Sequence, residues 1–231
     1  MTEPTPNPKA SDLKVRVLSA LVMVAVAGVA LWQGGWLFSG LMAIVAVTAL
    51  WEWRALSRKL GRSSLTVWIW TISGMLYIGA AMACLIFLRD HIGLAPVIWL
   101  LGAVIATDVG AYFTGRSIGG PKIAPSISPS KTWSGLAGGM VAAGLFCVAM
   151  ATQFQDAASF IGAQFAIGAV LAVIAQTGDF LESGMKRKAG VKDSSALIPG
   201  HGGVLDRIDG MLPVVIVGTL GLLLIFKSIK F

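Results

Sequence analysis

Two stretches of this chain gather residues able to do chemistry within an otherwise apolar sequence. The richer one is 176–210, QTGDFLESGMKRKAGVKDSSALIPGHGGVLDRIDG. In it Asp179 and Ser183 are four apart, the spacing that puts two side chains on one helix face, and Lys186 follows three later. Asp206 and Asp209 are three apart and can converge in the same way. Asp179, Asp206 and Asp209 together could hold a hard divalent cation, which takes oxygen ligands and commonly bridges carboxylates to substrate phosphates. Lys186, Arg187, Lys192 and Arg207 would neutralise phosphate oxygens, arginine as a planar fork and lysine as a point charge. His201, between Gly200 and Gly202, could act as a general base or position backbone and phosphate. Acid and base so mixed read as a site for phosphoryl or nucleotidyl transfer. Local roles stay open for some members: Asp206 and Asp209 can cap a helix or pair with Arg207 or Lys192, and Asp193 before two serines can start a turn.

The second stretch, 108–133, reads DVGAYFTGRSIGGPKIAPSISPSKTW. Asp108 falls near the end of an apolar run, where a carboxylate is costly unless it faces a polar cavity, a partner or a metal. Tyr112 is four residues on and shares its face. Gly115, Gly119 and Gly120 free the backbone, while Arg116, Lys122 and Lys131 bring cations. No Walker-type loop is present, so this stretch alone reads equally as a basic, topology-setting loop.

The elements that must position these groups are membrane helices. With 56% hydrophobic residues, 13% charged and a mean hydropathy of +0.80, the chain is too apolar for an ordinary soluble domain. Apolar runs of spanning length predict an all-α polytopic membrane protein with about seven helices: Val17–Gln33, Trp36–Trp53, Leu65–Leu88, Leu94–Phe113, Gly135–Thr152, Phe160–Phe180 and Met211–Phe226. The third is long enough to tilt or break near Gly74. Residues 1–16 are expected to form a disordered cytoplasmic tail and 17–231 a single transmembrane catalytic domain, its polar site facing the cytoplasm. Cys84 and Cys147 lie in apolar runs without metal-ligand spacing.

Charge sets the orientation. Fifteen of the 18 basic residues fall on one side of these helices: Lys9, Lys14 and Arg16; Arg54, Arg58, Lys59 and Arg62; Arg116, Lys122 and Lys131; Lys186, Arg187, Lys188, Lys192 and Arg207. Only Arg89, Lys227 and Lys230 fall on the other. The positive-inside rule then puts the N-terminus in the cytoplasm. The net charge of +7 sits in short loops, which favours anionic lipid heads over nucleic acid as its partner. Trp32, Trp36, Trp51, Trp53, Trp68, Trp70 and Trp133 are expected as interface anchors.

The run Ser183 to Arg187, then Lys192-Asp193, then Pro199-Gly200-His201-Gly202-Gly203, then Asp206 to Asp209, resembles in order and spacing the signature of phosphatidate cytidylyltransferases. The blocks Asp108 to Arg116, Ser128 to Trp133 and Gln176 to Asp179 resemble that family's other motifs. The chain departs from the family at Ser130 and Ser134, where many members carry a charge, and its N-terminal half is short. The resemblance implies a magnesium-dependent bacterial inner-membrane enzyme, with room for a second cation and for a homodimer. Its substrates would be CTP and phosphatidate, joined to give CDP-diacylglycerol and pyrophosphate. It implies Asp179, Asp206 and Asp209 as metal carboxylates, and Lys186, Arg187, Lys192, His201 and Arg207 as catalytic phosphate contacts. Asp108, Tyr112, Arg116, Ser128, Lys131, Thr132, Ser183, Asp193, Gly202 and Gly203 would line the substrate site. A CTP-using enzyme for another anionic lipid phosphate is the near alternative. An ion-coupled transporter using Asp108 and Asp179 is a remote one, since no repeat is evident and the carboxylates lie toward one side.

Overall fold

The computed structural model describes residues 8–61, 63–151 and 161–229. Arg62, Thr152, Phe160 and Lys230, used in the expectations above, lie outside them. The described chain is mostly helical, interrupted by one hairpin and by an irregular loop over 189–204: α1 (Pro8–Gln33), α2 (Gly35–Leu60), α3 (Ser64–Phe87), α4 (Leu94–Ser117), α5 (Trp133–Ala151), α6 (Ile161–Lys188), the single turn α7 (Leu205–Ile208) and α8 (Met211–Ile229). Six of these are long and apolar enough to cross a membrane, while α8, apolar over Met211–Leu224, is shorter in its described part. Large side chains on the perimeter, Val24, Trp36, Val47 and Leu76 among them, are exposed, as lipid-facing residues are. This is an integral membrane protein.

Several boundaries differ from the sequence expectation. Helix α1 starts at Pro8, inside the segment expected as tail, because a proline's fixed φ and missing N–H suit a helix's first position. Helix α3 runs through Gly74 unbroken; the missing side chain there makes room for the Trp53 ring. Trp53 is therefore a core residue rather than an interface anchor, 3% exposed and donating its indole N–H to the Trp70 carbonyl at 2.6 Å. Trp32, Trp36, Trp51, Trp68 and Trp133 are exposed. A π-turn, Leu88–Ile92, closes α3, and its Arg89 donates to the carbonyls of Leu31 and Trp32 at 2.7 Å, clasping the α1–α2 turn.

The half of the molecule that positions the site is α4, α5 and α6. Helices α4 and α5 approach to backbone contact: a Cβ at Gly139 would sit 3.0 Å from the Thr107 carbonyl, and one at Gly110 would lie 2.6 Å from that of Gly138. Small residues let membrane helices pack this closely, where dispersion rather than hydrophobicity holds them. The turn between α4 and α5 is not simple loop. It folds as a two-stranded antiparallel hairpin, β1 (Lys122–Ala124) and β2 (Ser128–Thr132), a small exception to the all-helical expectation. Thr132 ends the hairpin by capping α5, its Oγ1 accepting the Gly135 N–H at 3.0 Å.

Candidate active site

Polar residues of the two stretches gather in two compartments, a cavity and a packed cluster of charged side chains, which adjoin at Asp179 and Asp209. The first is a cavity of about 320 Å³ lined by Asp108, Tyr112 and Arg116 of α4, Lys131 and Thr132 of β2, and Asp179 of α6. Helix α4 continues to Ser117, so Asp108 sits well inside it rather than at its end. The carboxylate tolerates that depth because it faces a cavity that also holds Lys131. The Lys131 ammonium is ion-paired to Asp179 and lies 5.4 Å above the Phe180 ring. Arg116 reaches back over Tyr112, its Nη1 3.4 Å from the phenol oxygen. At about 320 Å³ the space is at the lower end for a small-molecule site.

The second compartment lies where α6 meets α7. Helix α6 extends to Lys188, past the end expected at Phe180, so Glu182, Ser183, Lys186 and Arg187 are all helical. Lys186 Nζ is 2.6 Å from Asp206 Oδ1 and 3.4 Å from Glu182 Oε1. Asp206 also accepts from the backbone N–H and hydroxyl of Ser194 and from the Gly203 N–H, at 2.8 to 3.3 Å. Burial alone would raise its pKa, but Lys186 and these N–H groups outweigh that and hold it at about 2. Asp209 sits against both Asp179 and Glu182, and burial together with the Asp179 charge pushes its pKa up.

Glycines set this geometry. Gly202 takes φ +84°, a left-handed conformation that side chains resist, and a Cβ there would stand 2.9 Å from Asp206 Oδ2. At Gly178 a Cβ would collide with the Asp209 carbonyl oxygen and lie 2.9 Å from Pro213. That close approach of α6 to the start of α8 is what sets Asp209 beside Asp179.

Among the described residues, no three His, Cys, Asp or Glu side chains are spaced as a finished metal site. The donor chemistry still suits a hard divalent cation. The ligands are all carboxylate oxygens, Asp179 and Asp209 repel one another, and both buried oxygens of Glu182 lack a hydrogen-bond partner among the described residues. Lys131 and Lys186 supply the neighbouring positive charge.

Other expected residues are placed differently. Arg187 Nε donates to the Ile127 carbonyl at 3.1 Å, so it ties α6 to the hairpin. Ser128 is buried in β2 and is not among the residues lining the cavity. His201 Nδ1 is 2.9 Å from Ser19 Oγ of α1, and that hydroxyl also lies 3.1 Å from the Pro199 carbonyl. Lys192, Asp193 and Arg207 are exposed, with Arg207 within electrostatic reach of Asp108 and Asp193 beside Gly202. Sequence reasoning missed two acids, Glu52 and Glu182, both buried. Glu182 was legible, three residues after Asp179 and four before Lys186. Glu52, in the distant run Trp51-Glu52-Trp53, carried only the signal of a carboxylate inside an apolar helix.

The model of the cytidylyltransferase family matches residues 14–84 and 61–225 of this chain. A protein of Brucella melitensis named phosphatidate cytidylyltransferase is 32% identical over 250 residues, covering 87% of this chain and 90% of its own. One of the same name from Rickettsia bellii is 36% identical, covering 87% of each. A third, from Haemophilus influenzae, is 42% identical over 128 residues, or 53% of this chain and 44% of its own.

Proposed function

The chain belongs to the cytidylyltransferase family, and from that premise we propose that it is a phosphatidate cytidylyltransferase, transferring the cytidylyl group of CTP to phosphatidate to give CDP-diacylglycerol and pyrophosphate. The observation that carries this reading is that Asp108, Lys131 and Asp179, drawn from separate motifs, line one cavity in a membrane protein, with Asp209 set beside Asp179.

In this reaction a phosphate oxygen of phosphatidate forms a bond to the α-phosphorus of CTP while the bond to the bridging oxygen breaks and pyrophosphate leaves. Both reactants are anions, so the protein's task is to hold them in line and offset their charge. Lys131 and Arg116 flank the cavity from the hairpin and α4, and Lys186 stands on the far side of the carboxylates. Lysine and arginine there bind phosphate oxygens and favour the departing pyrophosphate. Magnesium held by Asp179, Asp206 and Asp209, beside Glu182, would neutralise phosphate charge and align attacker with leaving group. The Thr132 hydroxyl lies in the wall of the same cavity. No side chain need form a covalent bond. The acyl chains stay in lipid, which the exposed apolar perimeter of the helices requires.

Purified protein in detergent is expected to release pyrophosphate from CTP on adding phosphatidate and magnesium, and to stop on chelation. ATP and GTP should support far lower rates, and turnover with ATP equal to that with CTP would remove the cytidylyl reading. A polyprenyl phosphate tested in parallel separates phosphatidate from other anionic lipid phosphates.

The membrane is proposed to be the bacterial inner membrane, with the N-terminus and the chamber on the cytoplasmic side, as the fifteen-to-three split of basic residues supports. A reporter inserted near Lys122 should then read as cytoplasmic and one after Phe231 as external. Both on one side would overturn the orientation.

A further inference from the structure

Glu52 lies on α2, far in sequence from every motif residue, and its side chain is completely buried. A carboxylate inside a membrane helix is costly unless its oxygens are satisfied. Glu52 meets that condition entirely through one loop, residues 194–205. Its Oε1 accepts from the Ser195 hydroxyl at 2.5 Å and the Val204 N–H at 3.0 Å. Its Oε2 accepts from the Leu205 N–H at 2.7 Å and lies 3.1 Å from Ser194 Oγ. Both ends of the loop are therefore pinned to the same carboxylate.

The loop is built around that contact. A Cβ at Gly203 would collide with Ser194 Oγ and stand 2.6 Å from Glu52 Oε1, so only glycine lets the chain pass this close. Ser194 Oγ also lies 2.9 Å from Asp206 Oδ2, so its single proton is shared between Glu52 and Asp206. Asp206 in turn holds Lys186. A continuous hydrogen-bonded path thus runs from α2, through Ser194, to the carboxylate and ammonium of the chamber.

We infer that Glu52 is a positioning residue for the reaction: its buried carboxylate fixes the 194–205 loop and the α7 turn so that Asp206 and Lys186 face the reacting phosphates. This rests on the cytidylyl-transfer reading above. The cavity lined by Asp108, Tyr112, Arg116 and Lys131 takes no part of its wall from this loop. Losing the anchor therefore lowers turnover while leaving nucleotide binding in that cavity intact.

The test is Glu52→Gln. The amide offers one oxygen where the carboxylate offered two, and its NH2 faces donors it cannot accept from. A displacement of about 1 Å at reacting groups costs on the order of 100-fold, so kcat should fall by roughly that factor in protein that still folds in detergent. KM for CTP should stay within about threefold, because uniform binding is untouched. Hydrogen exchange should rise in the peptide covering 194–205 and not in α4 or α5. Exchange is read without turnover, so it tests the anchor even if the wild-type protein proves inactive on CTP and phosphatidate, a result that would count against the reaction alone. A folded Glu52→Gln protein with wild-type kcat, or with unchanged exchange in the loop, overturns the inference. Should that variant fail to accumulate, Ser194→Ala combined with Ser195→Ala leaves the carboxylate its two backbone donors. That pair should lose about 10-fold in kcat, a smaller displacement of the same groups, and unchanged kcat there is equally fatal.

Discussion

Replacing Asp209 by Asn is expected to leave the protein folded in detergent and to lower magnesium-dependent CDP-diacylglycerol formation by at least ~100-fold, the order seen when groups around a metal are disturbed. Asn keeps the size of the side chain and part of its hydrogen bonding while removing the charge. Asp209 is the cleanest of the three candidate carboxylates for this purpose. Its Oδ1 accepts the N–H of the next residue, Gly210, at 2.8 Å, and the Asp179 charge beside it repels it. Removing the charge thus relieves repulsion in the ligand-free protein, so stability should hold or rise. Asp206 behaves differently: four donor groups from Lys186, Ser194 and Gly203 depend on it, and Asp206→Asn should cost both stability and rate. Asp179→Asn falls between them, since it leaves Lys131 without its partner in a half-buried site. Rate measured beside thermal stability separates the three, and near-normal turnover in the Asp209 and Asp179 variants would remove the carboxylate site from this account.

Gly178→Ala is expected to be nearly as damaging although it adds one methyl and removes no polar group. That methyl would overlap the Asp209 carbonyl oxygen and crowd Pro213, so α6 and the start of α8 must separate. Overpacking of this kind costs about 1–3 kcal/mol of stability. The larger effect is on rate, because the same separation pulls Asp209 from Asp179 by the order of an ångström, worth roughly 100-fold. Gly221 is the matched control, since a Cβ there meets nothing within 4 Å. Gly221→Ala should leave melting temperature and turnover unchanged. Equal behaviour of the two variants would disprove the close-approach argument.

The spans were legible because lipid imposes a single rule, about 20 apolar residues per crossing, which the chain obeys with few interruptions. Their ends were less so. Helix α6 outruns its apolar stretch because Lys186, Arg187 and Lys188 suit a helix C-terminus and favour the dipole there, so hydropathy stops before the helix does. The hairpin after α4 hid behind Pro121, Pro125 and Pro129, residues that read as loop. Within the site, spacing along a helix grouped Asp179 with Ser183 and Lys186, and Asp206 with Asp209, whereas the ion pairs run from Asp179 to Lys131 and from Lys186 to Asp206. It could say nothing of Lys131 meeting Asp179, or of Ser19 meeting His201, because those contacts join elements far apart in the chain. Glu52 was invisible for the same reason, its partners lying 142 to 153 residues away.

That separation has a consequence during synthesis. Helix α2 enters the membrane carrying a carboxylate whose four donors have not yet been made. At about 5–20 residues per second, roughly seven to thirty seconds pass before residues 194–205 emerge. Until then Glu52, two turns from the C-terminal end of α2, must reach for headgroup water. The nascent protein thus carries a carboxylate whose hydrogen-bond partners are supplied only when residues 194–205 follow.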